Sequence, residues 1–277
     1  MNNYFSDVVL DYIKENPYVQ CPEIPQVKSI INNLSIKHFK RGSGQATTRL
    51  NVLEANYREW IKDIINLQDF KHCYFVNGVT DAINQWIATE TRPWQFLTGD
   101  YNYAKIISGT GKRVTSINDT DVLYISNPAC VTGNFISLDN IKCPIILDCA
   151  YLGSTCKKKM FVPDTTEQIW FSFSKGWGLI GQRLGLVFSK TPHKSLEPMK
   201  TVEAWNYTGV EIALSILKNF NIDSTYNLYK DKQLEICTKL DLIPSDCFYI
   251  ATSYKEEYKQ RRRNNSIARL CISDLLE

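Results

Sequence analysis

No apolar run in this chain approaches the roughly 20 residues a bilayer-spanning helix needs, so a transmembrane segment is not expected. Its opening, "MNNYFSDVVLDYIKENP", lacks a basic stretch followed by an apolar one, and a signal peptide is not expected either. Histidine is scarce: His38, His72 and His193 stand far apart, and no metal motif includes them. The nine cysteines contain no C-x-x-C pair; an odd number without metal spacing reads as reduced, mostly buried thiols in a cytoplasmic protein. Charge of either sign is not in excess. A net +3 is too small to argue for nucleic acid, and the basic cluster Arg261 to Arg263, coming after Glu256 and Glu257, reads as a solvated helix face. Repeats and low-complexity stretches are missing too. What remains is an ordinary globular composition, 44% apolar and 22% charged, in 277 residues: room for one large domain, or a large and a small one.

The first 70 residues read as helical and polar, with "NVLEANYREWIKDIINL" placing Leu53, Tyr57, Trp60, Ile61 and Ile64 on one face. From Tyr74 short apolar runs follow one another: "CYFV", "WQFLTG", "KRVTSI", "DVLYISNP", "CPIILD", "IWFSFS" and "RLGLVFS". Helical stretches such as "TDAINQWIATE" and "NYAKIISGTG" separate several of them. Strands alternating with helices predict an α/β domain: a mainly parallel sheet with helices on both faces. After Pro198 the helical texture returns in "GVEIALSILKNF" and "STYNLYKDKQLEICTKL", and two short strands, "CFYIAT" and "ARLCIS", follow. The expected division is therefore residues 1–200, with the large domain, and 201–277, a small α+β domain.

Ligands of open parallel sheets bind at the carboxyl ends of the strands, and three of the runs end on suggestive residues. After "CYFV", Gly78 permits close backbone approach, and the helix opening at Val79 and Thr80 aims free N–H groups outward, an anion site by construction. After "PIILD" come Asp148 and Tyr151; Asp148 is either a helix cap or a buried carboxylate that needs a cation or several donors. After "FSFS" comes Lys175, either a snorkelling surface lysine or an amine whose proton affinity falls with desolvation, which makes it nucleophilic. Arg183 supplies a planar fork suited to phosphate, and Ser172 and Ser174 supply hydroxyls. Together they ask for a ligand with a phosphate, an imine-forming carbonyl and a basic ring nitrogen. Pyridoxal 5′-phosphate (PLP) has all three: Lys175 would bind its C4′ as a Schiff base, Asp148 its pyridinium proton and Tyr151 its phenolic oxygen.

The sequence resembles the class I/II aminotransferases, fold-type I PLP enzymes. The family's S-x-S-K-x-x-G-L-x-G-x-R-x-G motif is met by "SFSKGWGLIGQRLG", its D-x-A-Y motif by "DCAY", and its N-P-x-N-P-T-G turn in part by "NPACVTG", where Asn127 counts among the cofactor contacts. The motif's later asparagine, a usual contact of the phenolic oxygen, falls on Cys130. For stacking on the pyridine ring Tyr101 is the first choice and Tyr103 the second, both in "TGDYNYAK"; an aromatic core role is the alternative for either. "ARLCIS" resembles the segment carrying the arginine that grips the substrate's α-carboxylate, here Arg269. On this resemblance the chain would be a short member, with a reduced C-terminal domain.

The resemblance implies the PLP-dependent transferase fold, a homodimer, and transfer of the amino group of an α-amino acid to a 2-oxo acid through the Lys175 Schiff base. Asn206 or Tyr207 would reach the partner's cofactor. Two alternatives stay open on the same residues: a PLP-dependent lyase or decarboxylase, since fold does not fix reaction type, and a degenerate PLP-binding regulatory protein.

Overall fold

The computed structural model describes residues 11–276 apart from 12, 16–17, 36–39, 41 and 265. Part of the helical expectation for the first 70 residues lies outside these, as does His38.

Helix α1 (Pro25–Asn32) leads to α2 (Gln45–Ile61), where Leu50, Leu53, Tyr57 and Ile61 are buried along one stripe. Tyr57 packs its ring against Trp60, Phe171 and Phe188, centroids 5.0–5.7 Å away. The helix ends earlier than its apolar period suggests: Ile64 is buried, but from the turn beyond, where its N–H donates to Ile61 O.

Seven strands then build one sheet: β1 (His72–Val76), β2 (Trp94–Leu97), β3 (Lys112–Val114), β4 (Val122–Ser126), β5 (Ile145–Cys149), β6 (Thr166–Ser172) and β7 (Gly185–Ser189). Their order is β1-β7-β6-β5-β4-β2-β3. Neighbours from β6 across to β3 run parallel, whereas β7 is antiparallel to both β6 and β1. The central strands β4 and β5, "VLYIS" and "IILDC", are buried at every position, as sheets covered on both faces require. The edge strand β3 exposes Lys112 and Arg113, which discourages further pairing. Crossovers include α3 (Val79–Ile87) and α4 (Tyr103–Ser108).

After α5 (Leu196–Thr201), helix α6 (Tyr207–Asn219) packs on α2, with Arg49 forming a bidentate pair to Glu211 at 2.6 Å. Helix α7 (Ser224–Leu240) covers a small antiparallel sheet of β8 (Ile243–Pro244), β9 (Ile250–Ser253) and β10 (Ala268–Cys271), and α8 (Ser273–Leu276) follows. Gln233 Nε2 of α7 donates to the carbonyls of Ser245, Cys247 and Ile250, fixing the helix to the turn between β8 and β9.

This C-terminal unit is fastened to the loop after β4. Asp246 N–H donates to Asn134 Oδ1, Phe135 N–H donates to Asp246 Oδ2, and Cys247 N–H donates to Gly133 O. One apolar cluster runs from Ile13 through Leu147 to Ile250, Leu270 and Leu276.

Candidate active site

The carboxyl ends of β4, β5 and β6 and the start of α3 enclose a cavity of about 170 Å³. Val79, Thr80, Tyr101, Asp148, Tyr151, Ser172, Ser174, Lys175 and Arg183 line it, together with Ser126, Cys130, Ala150 and Ile180. Residues scattered over a hundred positions of sequence thus meet in one place because they end strands, open a helix or lie in the turns that join them at the same edge of the sheet.

Gly78 caps α3 with φ +77°, a left-handed conformation that disfavours side chains. A Cβ there would lie 2.9 Å from Arg183 Nη2, so the missing side chain lets the guanidinium lie over the helix start. Asp81 and Ala82 N–H groups make the first helical bonds, to Gly78 O, which leaves the N–H groups of Val79 and Thr80 at an end that favours anions. Beside them Ser172 Oγ accepts from Ser174 N–H at 3.1 Å, and buried Ser174 Oγ has no partner among the described residues.

Lys175 is half-buried. Its Nζ is 3.4 Å from Val19 O and 4.9 Å from the centre of the Tyr151 ring. Desolvation holds this amine below the usual lysine range, Arg269 adds to the effect, and Cys130 and Asp148 oppose it. Asp148 is buried. Tyr124 Oη donates to its Oδ2 at 2.6 Å and Ala150 N–H to its Oδ1 at 2.9 Å, yet burial outweighs both donors and pushes the carboxyl up to about 6. A cation brought to Asp148 would reverse that shift. Tyr101 forms a hydrogen bond with Thr80 and faces the cavity. Tyr103, stacked on it at 6.1 Å, donates instead to Asn84 Oδ1 and does not line the cavity.

Buried Arg269 on β10 donates from Nη1 to Cys130 O at 2.5 Å, Cys130 Sγ at 3.2 Å and Tyr151 Oη at 3.3 Å, while its Nε has no partner among the described residues. The position of the family's asparagine is thus occupied by a thiol lying against the very arginine the sequence assigns to the substrate.

Three further expected features have these positions. Asn127 does not line the cavity: its amide donates to Ile136 O at 3.0 Å and accepts from Ile136 N–H at 3.1 Å, bracing the loop after β4. Asn206 caps α6, its Oδ1 accepting from Gly209 N–H. The basic cluster is not one solvated face. Arg262 pairs with Glu256 at 3.0 Å, but Arg263 turns inward, with Nε 3.3 Å from Gly99 O and Nη2 3.5 Å from Cys130 Sγ.

Tyr124, the partner of Asp148, was not singled out from sequence. Its signal is a hydroxyl inside the apolar run "VLYIS", which must find a partner once buried. Among the described residues no cluster of histidine, cysteine and carboxylate side chains could hold a metal, and no helix is long and apolar enough to cross a membrane.

The donor set fits PLP: a desolvated amine, a buried carboxylate beside it, and an anion cradle with an unpartnered hydroxyl. Solved structures agree in fold. The chain is similar to an aminotransferase from Staphylococcus aureus (TM-score 0.66, 14% identity, 94% of this chain and 90% of that one). It is also similar to histidinol-phosphate aminotransferase from Sinorhizobium meliloti in complex with pyridoxal-5′-phosphate (TM-score 0.64, 14% identity, 92% and 86%). This is the aminotransferase fold. The same fold serves L-threonine-O-3-phosphate decarboxylase from Porphyromonas gingivalis (TM-score 0.62, 15% identity, 92% and 94%). Among curated relatives, the chain is 29% identical over 153 residues to histidinol-phosphate aminotransferase of Cytophaga hutchinsonii, a match over 47% of this chain. The match spans 43% of that relative's length, less than half. No family model matches the chain.

Proposed function

We propose that the protein is a PLP-dependent aminotransferase that moves the amino group of an α-amino acid to a 2-oxo acid. The observation that carries this reading is Lys175: an amine with lowered proton affinity in one cavity with Asp148 and the Gly78–Ser174–Arg183 cradle.

Bound there, PLP supplies an electron sink for the carbanion at the substrate's Cα. Arg183, Ser172, Ser174 and the N–H groups opening α3 would hold its phosphate, Asp148 its ring N–H, and Tyr101 would pack on its ring. Lys175 has two tasks. It would hold the cofactor's aldehyde carbon, and as a free amine it would take the Cα proton, for which an amine readily left neutral is suited. Tyr151 meets both cations, its ring centre 4.9 Å from Lys175 Nζ and its hydroxyl 3.3 Å from Arg269 Nη1, so a carboxylate held by Arg269 would lie close to the amine that takes the Cα proton.

The further expectations are proposals too. We take residues 201–277 as the small domain, the active unit as a homodimer, and the location as cytoplasmic; nine free cysteines suit a reducing compartment. Borohydride reduction of the yellow holoenzyme followed by peptide mass spectrometry is expected to label Lys175, and an amino-acid panel with 2-oxoglutarate to yield glutamate. Lys175→Ala is expected to abolish turnover while leaving the fold intact. A label on another lysine, or carbon dioxide release without glutamate, sinks the transaminase reading; the latter favours decarboxylation.

A further inference from the structure

A second guanidinium lies behind the cavity wall: neither Arg263 nor Arg269 lines the cavity itself, but both meet a residue that does. Arg263 and Arg269 approach the same cavity-lining sulfur, Cys130 Sγ, at 3.5 and 3.2 Å. Among the described residues neither meets a carboxylate at ion-pair distance. Arg262, next in sequence, is taken by Glu256. The nearby carboxylates are committed elsewhere. Asp148 holds Tyr124 and Ala150 N–H. Buried Asp100, whose charge Arg263 feels, accepts from Tyr101 N–H and Ser126 Oγ on Oδ1 and from Ser126 N–H on Oδ2.

Buried or half-buried guanidinium groups without an anion are costly, and such sites are completed by what binds them. Arg269 has one nitrogen engaged by Cys130 and Tyr151, and its buried Nε is unpartnered among the described residues, a demand that one carboxylate would meet. The hydrogen bonds of Arg263 go to a carbonyl and a thiol, both long and uncharged. It is nonetheless fixed in place: a Cβ at Gly99 (φ +93°) would lie 2.9 Å from Arg263 O, so the turn after β2 is packed directly on the Arg263 backbone.

Resting on the aminotransferase reading, we propose that the substrate is an amino acid with an anionic side chain, carboxylate or phosphate, and that Arg263 binds this second anion while Arg269 holds the α-carboxylate. Two guanidinium groups with no carboxylate partner among the described residues call for two anionic groups, and a substrate with the α-carboxylate alone would leave one cation unanswered.

The test is calorimetric titration of the PLP-loaded protein with matched pairs: L-glutamate against L-glutamine, L-aspartate against L-asparagine, and O-phospho-L-serine against L-serine. The anionic member of at least one pair is expected to bind at least about tenfold more tightly, the range for hydrogen bonds to charged groups, and the pair that does so tells carboxylate from phosphate. Arg263→Gln is expected to bring that ratio to near unity, and Arg263→Lys, which keeps the charge but not the fork, to an intermediate value. Cofactor content and melting temperature, measured alongside, report folding. Equal binding within every pair overturns the role of Arg263 and leaves the aminotransferase reading standing. So does a Gln variant that weakens both members of a pair by one factor. A holoenzyme that binds no amino acid overturns both.

Discussion

Asp148 shows how burial sets a carboxylate's role. Two donors hold it, yet removal from water raises its pKa from an ordinary 3.8 to about 6 in the protein without a cationic partner. A group whose pKa is higher in the folded than in the unfolded chain stabilises the fold below the unfolded value, and that contribution is lost as pH rises through the folded value. A tenfold difference in proton affinity between the two states is worth about 1.4 kcal/mol, so the contribution at stake is on the order of 1–3 kcal/mol. In cofactor-free protein, the stability advantage of the wild type over Asp148→Asn is expected to shrink by that amount between pH 4 and pH 7, as read by denaturant melts. A difference independent of pH would mean that the carboxyl titrates normally and has no need of a cation.

At the scale of elements, the start of α3 and the turn carrying Arg183 work as a pair. Gly78 is required twice over, by its positive φ and by the guanidinium 2.9 Å from where a Cβ would stand. Gly78→Ala is expected to cost stability by about 1 kcal/mol. Displacing Arg183 should also weaken PLP binding about tenfold or more, as for loss of a charged hydrogen bond. Fluorescence titration of the cofactor checks this. A variant that loses stability but binds PLP normally would remove Arg183 from the phosphate cradle. The strand run from Tyr74 to Ser189 was legible because apolar runs and turn residues alternate locally. The strand order was not: β1 lies beside β7, more than a hundred residues later in the chain, and nothing local encodes that pairing.

For the whole molecule, the C-terminal unit brings Arg269 to the large sheet through the loop after β4, where Asp246 and Cys247 bind Asn134, Phe135 and Gly133. PLP would in turn tie α3, β5 and β6 together. Added at about a hundred times its Kd, it is expected to stabilise the protein by about 2.7 kcal/mol, a rise of about 5 °C in melting temperature. Lys175→Ala, which lacks the tether, should show a smaller rise at the same concentration. Scanning calorimetry of the two proteins with and without PLP decides it, and equal shifts would place the tether on another residue.

The sequence alone determined the parts of the site that are local. Asp148 with Tyr151, Ser172 to Lys175, and Gly78 with Val79 and Thr80 each end a strand or open a helix. Residue type and the periods of neighbouring apolar positions suffice to put such groups at the binding edge of a parallel sheet. Tertiary structure decided what depends on distant segments closing on one another. It sent Asn127 to its own loop, set Tyr124 on Asp148, and brought Cys130 against Arg269 and Arg263, 139 and 133 positions away. The same "RRR" run could face water or a ligand, because a guanidinium's partner is chosen by the fold around it, and that choice lies in packing between segments rather than in any stretch of sequence.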